Sequence, residues 1–402
     1  MSQHGALENL VVLDLTRVLA GPFCTMMLAD MGAKVIKIEM PVSGDDTRAY
    51  PPFRTNCNGE RESLYFANIN RNKQGITLNL KAQEGKEIFK KLVETADIVV
   101  ENYRPGVMDK LGLGYDVLKE INPRIIYGSV SGFGNTGPYR LRPGYDILSQ
   151  AMGGLMAITG SKGGEPTRAG SAMGDILGGL HLTIGLLAAI NARSITGKGQ
   201  RVDISLMDSV IAATENTAIK YLESGIIPPR MGNRYAAVSP YDGFKVQDGT
   251  IIIACGNQKL YEKLCTEVLD RPDMITDPRF SDMEGRLANQ DDIRDVIEEK
   301  LADLTMDEAV SFILSKGIPA GPIYDISQIL ADPQVKEREM FVEQEHPTLG
   351  HMTVNGCAIK LDDTVPSVRT PAPALGQDND AVLRQLGLGE GEIDALRAGG
   401  VI

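Results

Sequence analysis

The chain has 402 residues and a mass of 43.5 kDa, which is long enough for two domains that bury large cores without disulfides or metal ions. Hydrophobic residues make up 43% of the sequence and charged residues 23%, a composition that excludes an intrinsically disordered chain. The formal net charge of −12 argues against a nucleic-acid-binding protein, because such a protein needs a basic face toward the phosphates.

Short apolar segments alternate with helical ones in the N-terminal half of the chain. The predicted strands are 11–15, 34–38, 76–80, 97–100, 124–128 and 202–206. The predicted helices between and after them are 21–31, 83–94, 115–120, 176–193 and 207–223. Strands that alternate with helices favour a parallel, doubly wound sheet, so we predict an α/β fold.

The pattern changes after the segment Gly225-Ile-Ile-Pro-Pro229, whose composition is typical of a linker. Beyond it the sequence predicts a hairpin and then three helices, at 241–246, 250–254, 260–269, 286–301 and 306–315. We therefore predict a small α+β domain at 227–325, preceded by 1–226 and followed by 326–402. Two further helices are predicted in the C-terminal segment, at 380–386 and 390–398.

Cysteine and histidine placement bears on metal binding and on the cellular compartment. The five cysteines are scattered without a C-x-x-C pair, and the four histidines form no ligand motif, so we expect free thiols and no metal site. The N-terminal residues lack a secretory signal. The longest uninterrupted apolar run, 182–190, is far shorter than a bilayer span. We expect a cytoplasmic protein without a membrane partner.

A glycine-rich segment, Gly132-Phe-Gly-Asn-Thr-Gly137, matches the G-x-G-x-x-G pattern of dinucleotide-binding proteins. Pro138 follows the third glycine and Pro143 comes soon after, so no helix opens where the pyrophosphate would bind. We interpret the segment as a flexible turn and reject a nicotinamide site.

Two other segments carry residue types that suit a reaction centre. Leu19-Ala-Gly-Pro22 lies between the first predicted strand and its helix, where anionic ligands often bind in α/β sheets, although an ordinary helix start is the default interpretation of this motif taken alone. Asp175 lies between glycines and an apolar helix. An ionised aspartate there is a plausible nucleophile toward an activated acyl group, while the simpler alternative is a helix N-cap.

Polar and basic residues next to the predicted strands are candidates for phosphate binding. They lie in 70–74 and 102–105, with Lys81 and Lys110 as further cations. Solvated surface charge is the alternative explanation for each of them taken singly.

Several segments together resemble the family III CoA-transferases, also called the CaiB–BaiF family. The resemblance covers nearly the whole chain, and its segments are 16–22, 32–39, 70–73, 100–106, 109–112, 132–134, 174–175, 196–200, 375–379 and 386–388. It implies a Rossmann-like large domain built from both chain ends, a smaller inserted domain, and two chains interlocked as a homodimer. It also implies transfer of coenzyme A from an acyl-CoA to a free carboxylic acid.

The resemblance assigns roles to individual residues. Asp175 takes the position of the family's nucleophilic aspartate, which forms covalent acyl and CoA intermediates. The positions implied to bind CoA or its acyl group are Leu19, Ala20, Leu78, Asn79, Leu80, Lys81, Asn102, Tyr103, Arg104, Lys110, Tyr145 and Asp146. Lys110 and Met40 stand where relatives often have arginine. CoA and acyl-CoA are expected as substrates, with no tightly bound cofactor.

Two alternatives to CoA transfer remain. Acyl-CoA racemases of the same family have a histidine where this chain has Tyr145, and a phenol with a pKa near ~10 is a poor general base. A CoA-binding protein without turnover is the other alternative, which the Gly-Asp pair at 174–175 disfavours. The loop 230–240 has one glycine where the formyl-CoA:oxalate enzymes have several, so oxalate is not expected as the acceptor.

Overall fold

The computed structural model describes residues 5–402 and divides the chain into two compact units. The first unit contains the described residues up to Leu155, then Arg168–Ser224 and Pro333–Ile402, and the second contains Met156–Thr167 and Gly225–Asp332. The chain therefore leaves the first unit and returns to it. The second unit ends at Asp332 rather than 325, and it also includes a segment that the sequence analysis placed in the large domain.

The strands of the described chain are β1 (Val11–Asp14), β2 (Lys34–Glu39), β3 (Phe53–Thr55), β4 (Arg61–Ser63), β5 (Lys73–Thr77), β6 (Ile98–Glu101), β7 (Ile126–Ser131), β8 (Arg201–Ser205), β9 (Tyr241–Val246), β10 (Gly249–Ala254), β11 (Ala320–Pro322), β12 (Phe341–His346) and β13 (Gly350–Asn355). Six of them form the central sheet, in the order β5-β2-β1-β6-β7-β8. All its neighbouring strands are parallel. This is the strand order of a Rossmann-like sheet, with its reversal between β1 and β6.

The helices are α1 (Ala20–Asp30), α2 (Leu64–Ile69), α3 (Gln83–Thr95), α4 (Val107–Leu111), α5 (Tyr115–Ile121), α6 (Asp146–Met152), α7 (Leu155–Ile158), α8 (Met173–Thr196), α9 (Leu206–Ala212), α10 (Glu215–Ser224), α11 (Gln258–Lys263), α12 (Met283–Ala288), α13 (Gln290–Leu301), α14 (Met306–Ser315), α15 (Ile326–Ala331), α16 (Pro333–Glu337), α17 (Asn379–Gln385) and α18 (Glu390–Ala398). A π-helical turn, Leu264–Val268, continues α11.

The central sheet separates two hydrophobic cores, because side chains along a strand alternate between its faces. On β1, Leu13 belongs to one core and Val12 to the other. Helices α3 and α5 cover the first face, together with Val382 and Ile393 from the C-terminal helices α17 and α18. Helices α1 and α8 cover the second face. Both ends of the chain thus contribute to the first unit.

The second unit has its own core. Its sheet is antiparallel in the order β11-β10-β9, and the β9–β10 hairpin turns at Gln247-Asp248. Helices α11, α13 and α14 pack their apolar side chains against this sheet. The hairpin and the following helices agree with the sequence prediction in type and order.

Several predicted elements differ from the observed ones, among them the strand predicted at 124–128, which is Ile126–Ser131. The strand predicted at 76–80 is Lys73–Thr77, because the buried side chains that follow it pack into the core from a loop. The helix predicted at 207–223 divides into α9 and α10 before Glu215, which has a φ of 38°. The helix predicted at 286–301 divides into α12 and α13 at Asn289, whose backbone is not helical.

Helix α8 is, by length and composition alone, long and apolar enough to cross a membrane, with a mean hydropathy of 1.6 over its most apolar window. The sequence analysis considered only the uninterrupted run 182–190, which is part of this helix. In the structure α8 packs against α1 and against the central sheet at β7 and β8.

Candidate active site

A cavity of about 160 Å³ lies in the first unit, at the carboxyl ends of β1, β6 and β7. In open α/β sheets this edge, at the point where the strand order reverses, is the usual ligand site. The residues that line the cavity include Arg17, Val18, Leu19, Ala20, Asp46, Asn102, Tyr103, Arg104, Ser131, Gly132, Arg142, Tyr145 and Asp175. The fold therefore brings the strand-to-helix turn after β1 and the Gly-Asp pair at 174–175 to one place.

Asp175 lies in the first turn of α8, at the cavity. The glycines around it are needed for close packing. A Cβ added at Gly179 would lie 2.7 Å from the carbonyl oxygen of Ala20, and one at Gly174 would lie 2.0 Å from Ser149 Oγ. Glycine at these positions lets the start of α8 approach α1 and α6 closely.

The carboxylate of Asp175 does not cap its own helix. The N-cap position of α8 is Ala172, which provides no side-chain acceptor. Instead, Asp146 Oδ1 accepts hydrogen bonds from the backbone amides of Gly174 (2.7 Å) and Asp175 (3.3 Å). Within residues 5–402, the Asp175 carboxylate itself has no hydrogen-bond or ion-pair partner. The N-cap interpretation of Asp175 is therefore wrong, and that role belongs to Asp146.

The electrostatic surroundings favour the protonated form of Asp175. Burial removes the carboxylate from water, and the negative charge of Asp146 lies nearby, so the pKa of Asp175 rises from 3.8 to about 7. A carboxyl group poised near neutrality at a cavity is typical of a reaction centre. The ionised form is a nucleophile that is neither hydrogen-bonded nor neutralised by a cation.

The turn after β1 is held by a side chain from the loop after β6. Asn102 Oδ1 accepts a hydrogen bond from the amide of Arg17 at 2.8 Å, and Asn102 Nδ2 donates to the Arg17 carbonyl at 2.6 Å. This pair of bonds joins the two loops that flank the reversal point of the sheet. Asn102 therefore lines the cavity and also shapes it.

A buried ion pair also supports the turn after β1. Lys37 Nζ donates to the Thr16 carbonyl at 3.0 Å and to Asp45 Oδ2 at 2.8 Å, and both charged side chains are fully buried. Asp45 Oδ1 accepts from the amide of Val18 at 3.2 Å. Val18 has a φ of 66°, an uncommon conformation for a β-branched residue that needs such external support.

Three arginines line the cavity, and they differ in the groups that they contact. Arg17 forms an ion pair with Asp46 at 3.4 Å and lies over the ring of Tyr103 at 5.4 Å. The guanidinium of Arg142 stacks on Tyr139 at 3.7 Å. Neither Arg104 nor Arg142 has a carboxylate partner among residues 5–402. Two unpaired cations thus face a cavity that contains the candidate nucleophile, an arrangement suited to an anionic substrate.

A second cavity, of about 350 Å³, lies beside the first at the carboxyl end of β2. The two cavities share Arg17, Asp46 and Tyr103, and the second also has Met40 and Lys81 in its lining. The two cavities therefore lie side by side as a crevice along the carboxyl edge of the sheet, at β1, β6 and β7 and at β2.

Most of the site residues expected from the sequence line these cavities. Asp175 shares the first cavity with Leu19, Ala20, Asn102, Tyr103, Arg104 and Tyr145, and Lys81 lines the second. Tyr145 is 67% exposed. These residues come from five separate segments of the chain.

Five expected positions line neither cavity. The side chains of Leu78 and Leu80 are buried in the core, so only their main chain is available to a ligand. Asn79 donates its amide to the Val401 carbonyl, and its side chain accepts from the amide of Lys81. Lys110 is an exposed residue of α4, and Asp146 binds the amides at the start of α8.

Several residues of the site were not expected from the sequence. Arg17, Asp46 and Arg142 line the first cavity, and Tyr65 lies near enough to Asp175 that burial and this carboxylate together raise its pKa to about 12. Arg17 stands inside the segment 16–22, which was identified as a unit, so its charge was an available signal. No sequence signal distinguished Tyr65 or Asp46.

Within residues 5–402, no histidine lines either cavity. Over the same residues, no group of three or more His, Cys, Asp or Glu side chains is arranged to hold a metal ion.

Comparison with known proteins shows one consistent family. The model of CoA-transferase family III matches residues 7–379. The chain is 40% identical to acetyl-CoA:oxalate CoA-transferase from Acetobacter aceti, over 95% of this chain and 96% of that protein. It is also 40% identical to succinyl-CoA:mesaconate CoA-transferase from Haloarcula hispanica, over 96% and 98% of the two chains. A crystal structure of a CaiB/BaiF family protein from Brucella suis superposes with a TM-score of 0.84 at 39% identity, covering 96% of this chain and 100% of the other.

Proposed function

Because this chain belongs to CoA-transferase family III and is a CoA-transferase, we propose that Asp175 performs the transfer as a covalent nucleophile. The observation that carries the proposal is the Asp175 carboxylate, which is half-buried at a cavity at the reversal point of the sheet and has no hydrogen-bond or ion-pair partner among residues 5–402. A structural aspartate in such a position normally accepts hydrogen bonds or pairs with a cation.

The proposed reaction conserves the energy of the thioester. The Asp175 carboxylate attacks the thioester carbonyl of the donor, forming a mixed anhydride and releasing CoA thiolate. The thiolate attacks the aspartyl carbonyl, so the donor leaves as a free carboxylate and Asp175 becomes a CoA thioester. The acceptor carboxylate attacks this thioester and releases CoA thiolate, which then attacks the acceptor acyl group. The new acyl-CoA forms and the Asp175 carboxylate is regenerated.

The crevice suits the rest of the CoA molecule. The thioester end would lie by Leu19 and Ala20 at the start of α1, next to Asp175. The pantetheine and nucleotide would continue toward the second cavity, where Lys81 and Arg17 offer positive charge to phosphates. Met40 offers an apolar contact there, where relatives have arginine. We expect CoA and acyl-CoA to bind as substrates only, with no resident cofactor.

A racemase would need a group that removes the α-proton of the acyl chain near neutral pH. The position that carries histidine in racemases is Tyr145, and tyrosine is a poorer general base than histidine. A CoA-binding protein without turnover would have no need to keep a partnerless carboxylate beside the thiol end of CoA. Both alternatives therefore rank behind CoA transfer.

We further propose that the acceptor is a small dicarboxylic acid. One relative is named for oxalate and another for succinyl-CoA and mesaconate, all of them dicarboxylic. In this chain, Arg142 lines the same cavity as Asp175, its guanidinium stacks on Tyr139, and it has no carboxylate partner among residues 5–402. A guanidinium binds a carboxylate through two parallel hydrogen bonds, which orients an acid whose other carboxylate reacts.

The nucleophile is tested with Asp175→Asn, which keeps the side-chain shape and removes the nucleophilic oxygen. Transfer should be abolished, while CoA binding measured by calorimetry stays within about twofold. Wild-type enzyme incubated with acyl-CoA and hydroxylamine should be converted to a hydroxamate at Asp175, located by peptide mass spectrometry. Retained turnover in Asp175→Asn, or a label on another residue, would contradict the mechanism.

The acceptor class is tested with Arg142→Leu and a panel of succinate, glutarate, mesaconate, oxalate, acetate and butyrate. The KM of the dicarboxylic acids should rise by about 10–100-fold, as expected for the loss of about 1.5–3 kcal/mol from a charged hydrogen-bonded contact. The KM of the monocarboxylic acids should change little. An equal effect on every acceptor, together with weaker CoA binding, would assign Arg142 to the CoA phosphates instead.

We also propose that the protein acts as an interlocked homodimer in the cytoplasm. Large apolar side chains on α8, α9 and α10 are at least 46% exposed in the single chain: Ile184, Ile195, Ile211, Ile219 and Leu222. Exposed apolar surface of this kind favours association. Sedimentation equilibrium should give about twice the 43.5 kDa chain mass, and a stable active monomer would refute the proposal.

A further inference from the structure

Two side chains of α6 are joined to each other on the face that packs against the start of α8. Asp146 and Gln150 are four residues apart, so they lie above one another on the same side of the helix. Gln150 Nε2 donates to Asp146 Oδ2 at 2.8 Å. Gln150 is completely buried, with an exposure of 0%. A buried primary amide is costly unless its donors and acceptor are used, so its contacts have a structural purpose.

The two side chains hold both ends of the segment that leads to the nucleophile. At one end, Gln150 Oε1 accepts from the amide of Ala169 at 2.9 Å, and Gln150 Nε2 approaches the Ser171 carbonyl at 3.4 Å. At the other end, Asp146 Oδ1 accepts from the amides of Gly174 and Asp175. The segment 169–175 is therefore attached to α6 at four backbone positions.

The other hydrogen bonds of this segment are local: Arg168 Nη1 donates to the carbonyls of Ala169 and Gly170, and the amide of Met173 donates to the Ser171 carbonyl. The attachments to α6 are the ones that connect it to a neighbouring helix. Gly170 and Ser171 are exposed, and the N-cap residue of α8 supplies no side-chain acceptor of its own. The first turn of a helix leaves backbone amides without intrahelical partners, and here Asp146 satisfies two of them from another helix. Close packing completes the arrangement, because Gly174 lies directly against Ser149 of α6.

We propose that Gln150 and Asp146 together form a positioning clamp that fixes the carboxylate of Asp175 for attack on the thioester. The clamp rests on the proposed role of Asp175, and it assigns no chemistry to Gln150 itself. Asp146, which the resemblance placed among the CoA-binding residues, acts through Asp175 rather than on CoA. Misplacing a reacting group by about 1 Å can cost about 10²-fold in rate, so loosening the clamp should affect kcat rather than substrate binding.

The clamp also places a charge beside the nucleophile. The titratable or charged groups near Asp175 or lining its cavity are Asp146, Tyr65, Tyr103, Tyr145, Asp46, Arg17, Arg104 and Arg142. Of these, Asp146 is the group whose charge raises the pKa of Asp175, after burial itself. Positioning and ionisation of Asp175 are therefore linked through one residue.

The test compares Gln150→Leu with a matched control, Asn122→Leu. Asn122 Nδ2 donates to the carbonyls of Val93 and Ala96, and Asn122 Oδ1 accepts from the amide of Arg124. These residues lie away from both cavities, so the substitution deletes three side-chain hydrogen bonds, as Gln150→Leu does, without touching the site. We expect kcat to fall by about 10–100-fold in Gln150→Leu, with the KM for acyl-CoA within about twofold of wild type. Asn122→Leu should lower the melting temperature to a similar extent and leave kcat nearly unchanged.

Formation of the hydroxamate at Asp175 gives a second measurement. In Gln150→Leu this reaction should slow by the same factor as kcat, because the first acyl transfer is the step that needs the orientation. Equal loss of kcat in the two leucine variants, or an unchanged kcat in Gln150→Leu, would overturn the clamp. Turnover by Asp175→Asn would instead refute the proposed function, so the two failures are distinguishable.

Discussion

The raised pKa of Asp175 predicts that this residue destabilises the folded protein at alkaline pH. The pKa is 3.8 in the reference state and about 7 in the fold. Between these values the folded state holds a proton that the unfolded state has lost, so the free energy of unfolding falls as pH rises through this window. Asp175→Asn cannot ionise and should escape this loss.

The size of the effect follows from the shift. One pKa unit corresponds to 1.36 kcal/mol, so a shift of about three units gives an upper limit of about 4 kcal/mol, and solvent access through the cavity reduces it. Asp175→Asn should therefore be nearly as stable as wild type near about pH 4 and more stable by a few kcal/mol above about pH 7.

Urea unfolding of wild type and Asp175→Asn across this pH range measures the difference directly. Asp116→Asn serves as the control, because a hydrogen bond from Lys119 lowers the pKa of Asp116 and the side chain is exposed. That variant should not gain stability at alkaline pH. A stability difference between wild type and Asp175→Asn that is the same at every pH, or that shrinks as pH rises, would refute the reasoning.

Two further predictions concern groups that support the site. Asp146→Asn keeps an acceptor for the two amides of α8 but removes the negative charge near Asp175. The acid limb of the pH–rate profile should therefore move to lower pH. An unmoved limb would show that the charge of Asp146 has no influence on Asp175. Lys37→Met leaves the buried carboxylate of Asp45 without its ion-pair partner, so the free energy of unfolding in chemical denaturation should fall by about 3–5 kcal/mol. Lys119→Met removes an exposed ion pair and should leave the denaturation curve unchanged.

The fold class could be predicted because its signals are local. Apolar strands such as β1 and β2 and the amphipathic helix α3 have periodicities that can be read over a few residues. Strand ends were harder to predict, as at β5, where the apolar residues continue into a loop that packs on the core. The local pattern of apolar residues indicates which side chains are buried. Side chains of a loop can be buried as well as those of a strand, so this pattern does not show where the strand ends.

Part of the site was also accessible from the sequence. Asp175, Leu19 and Arg104 stand in segments that resemble a family, and the structure brings all three to one cavity. The resemblance did not distinguish the residues that line the cavity from residues whose side chains pack in the core or bind the backbone. Leu78 and Asp146 were expected at the ligand, yet one side chain packs in the core and the other binds backbone amides.

The alternation of strands and helices and the acidic character of the chain could be read from residue types and their spacing, and the candidate nucleophile followed from the family resemblance. The folded chain was needed to show that Asp146 rather than Asp175 binds the amides at the start of α8, that Gln150 donates to Asp146, and that Arg142 lines the same cavity without a carboxylate partner among residues 5–402. Those features arise where separate chain segments pack together, and a pKa near 7 requires burial and a neighbouring charge that no local pattern encodes.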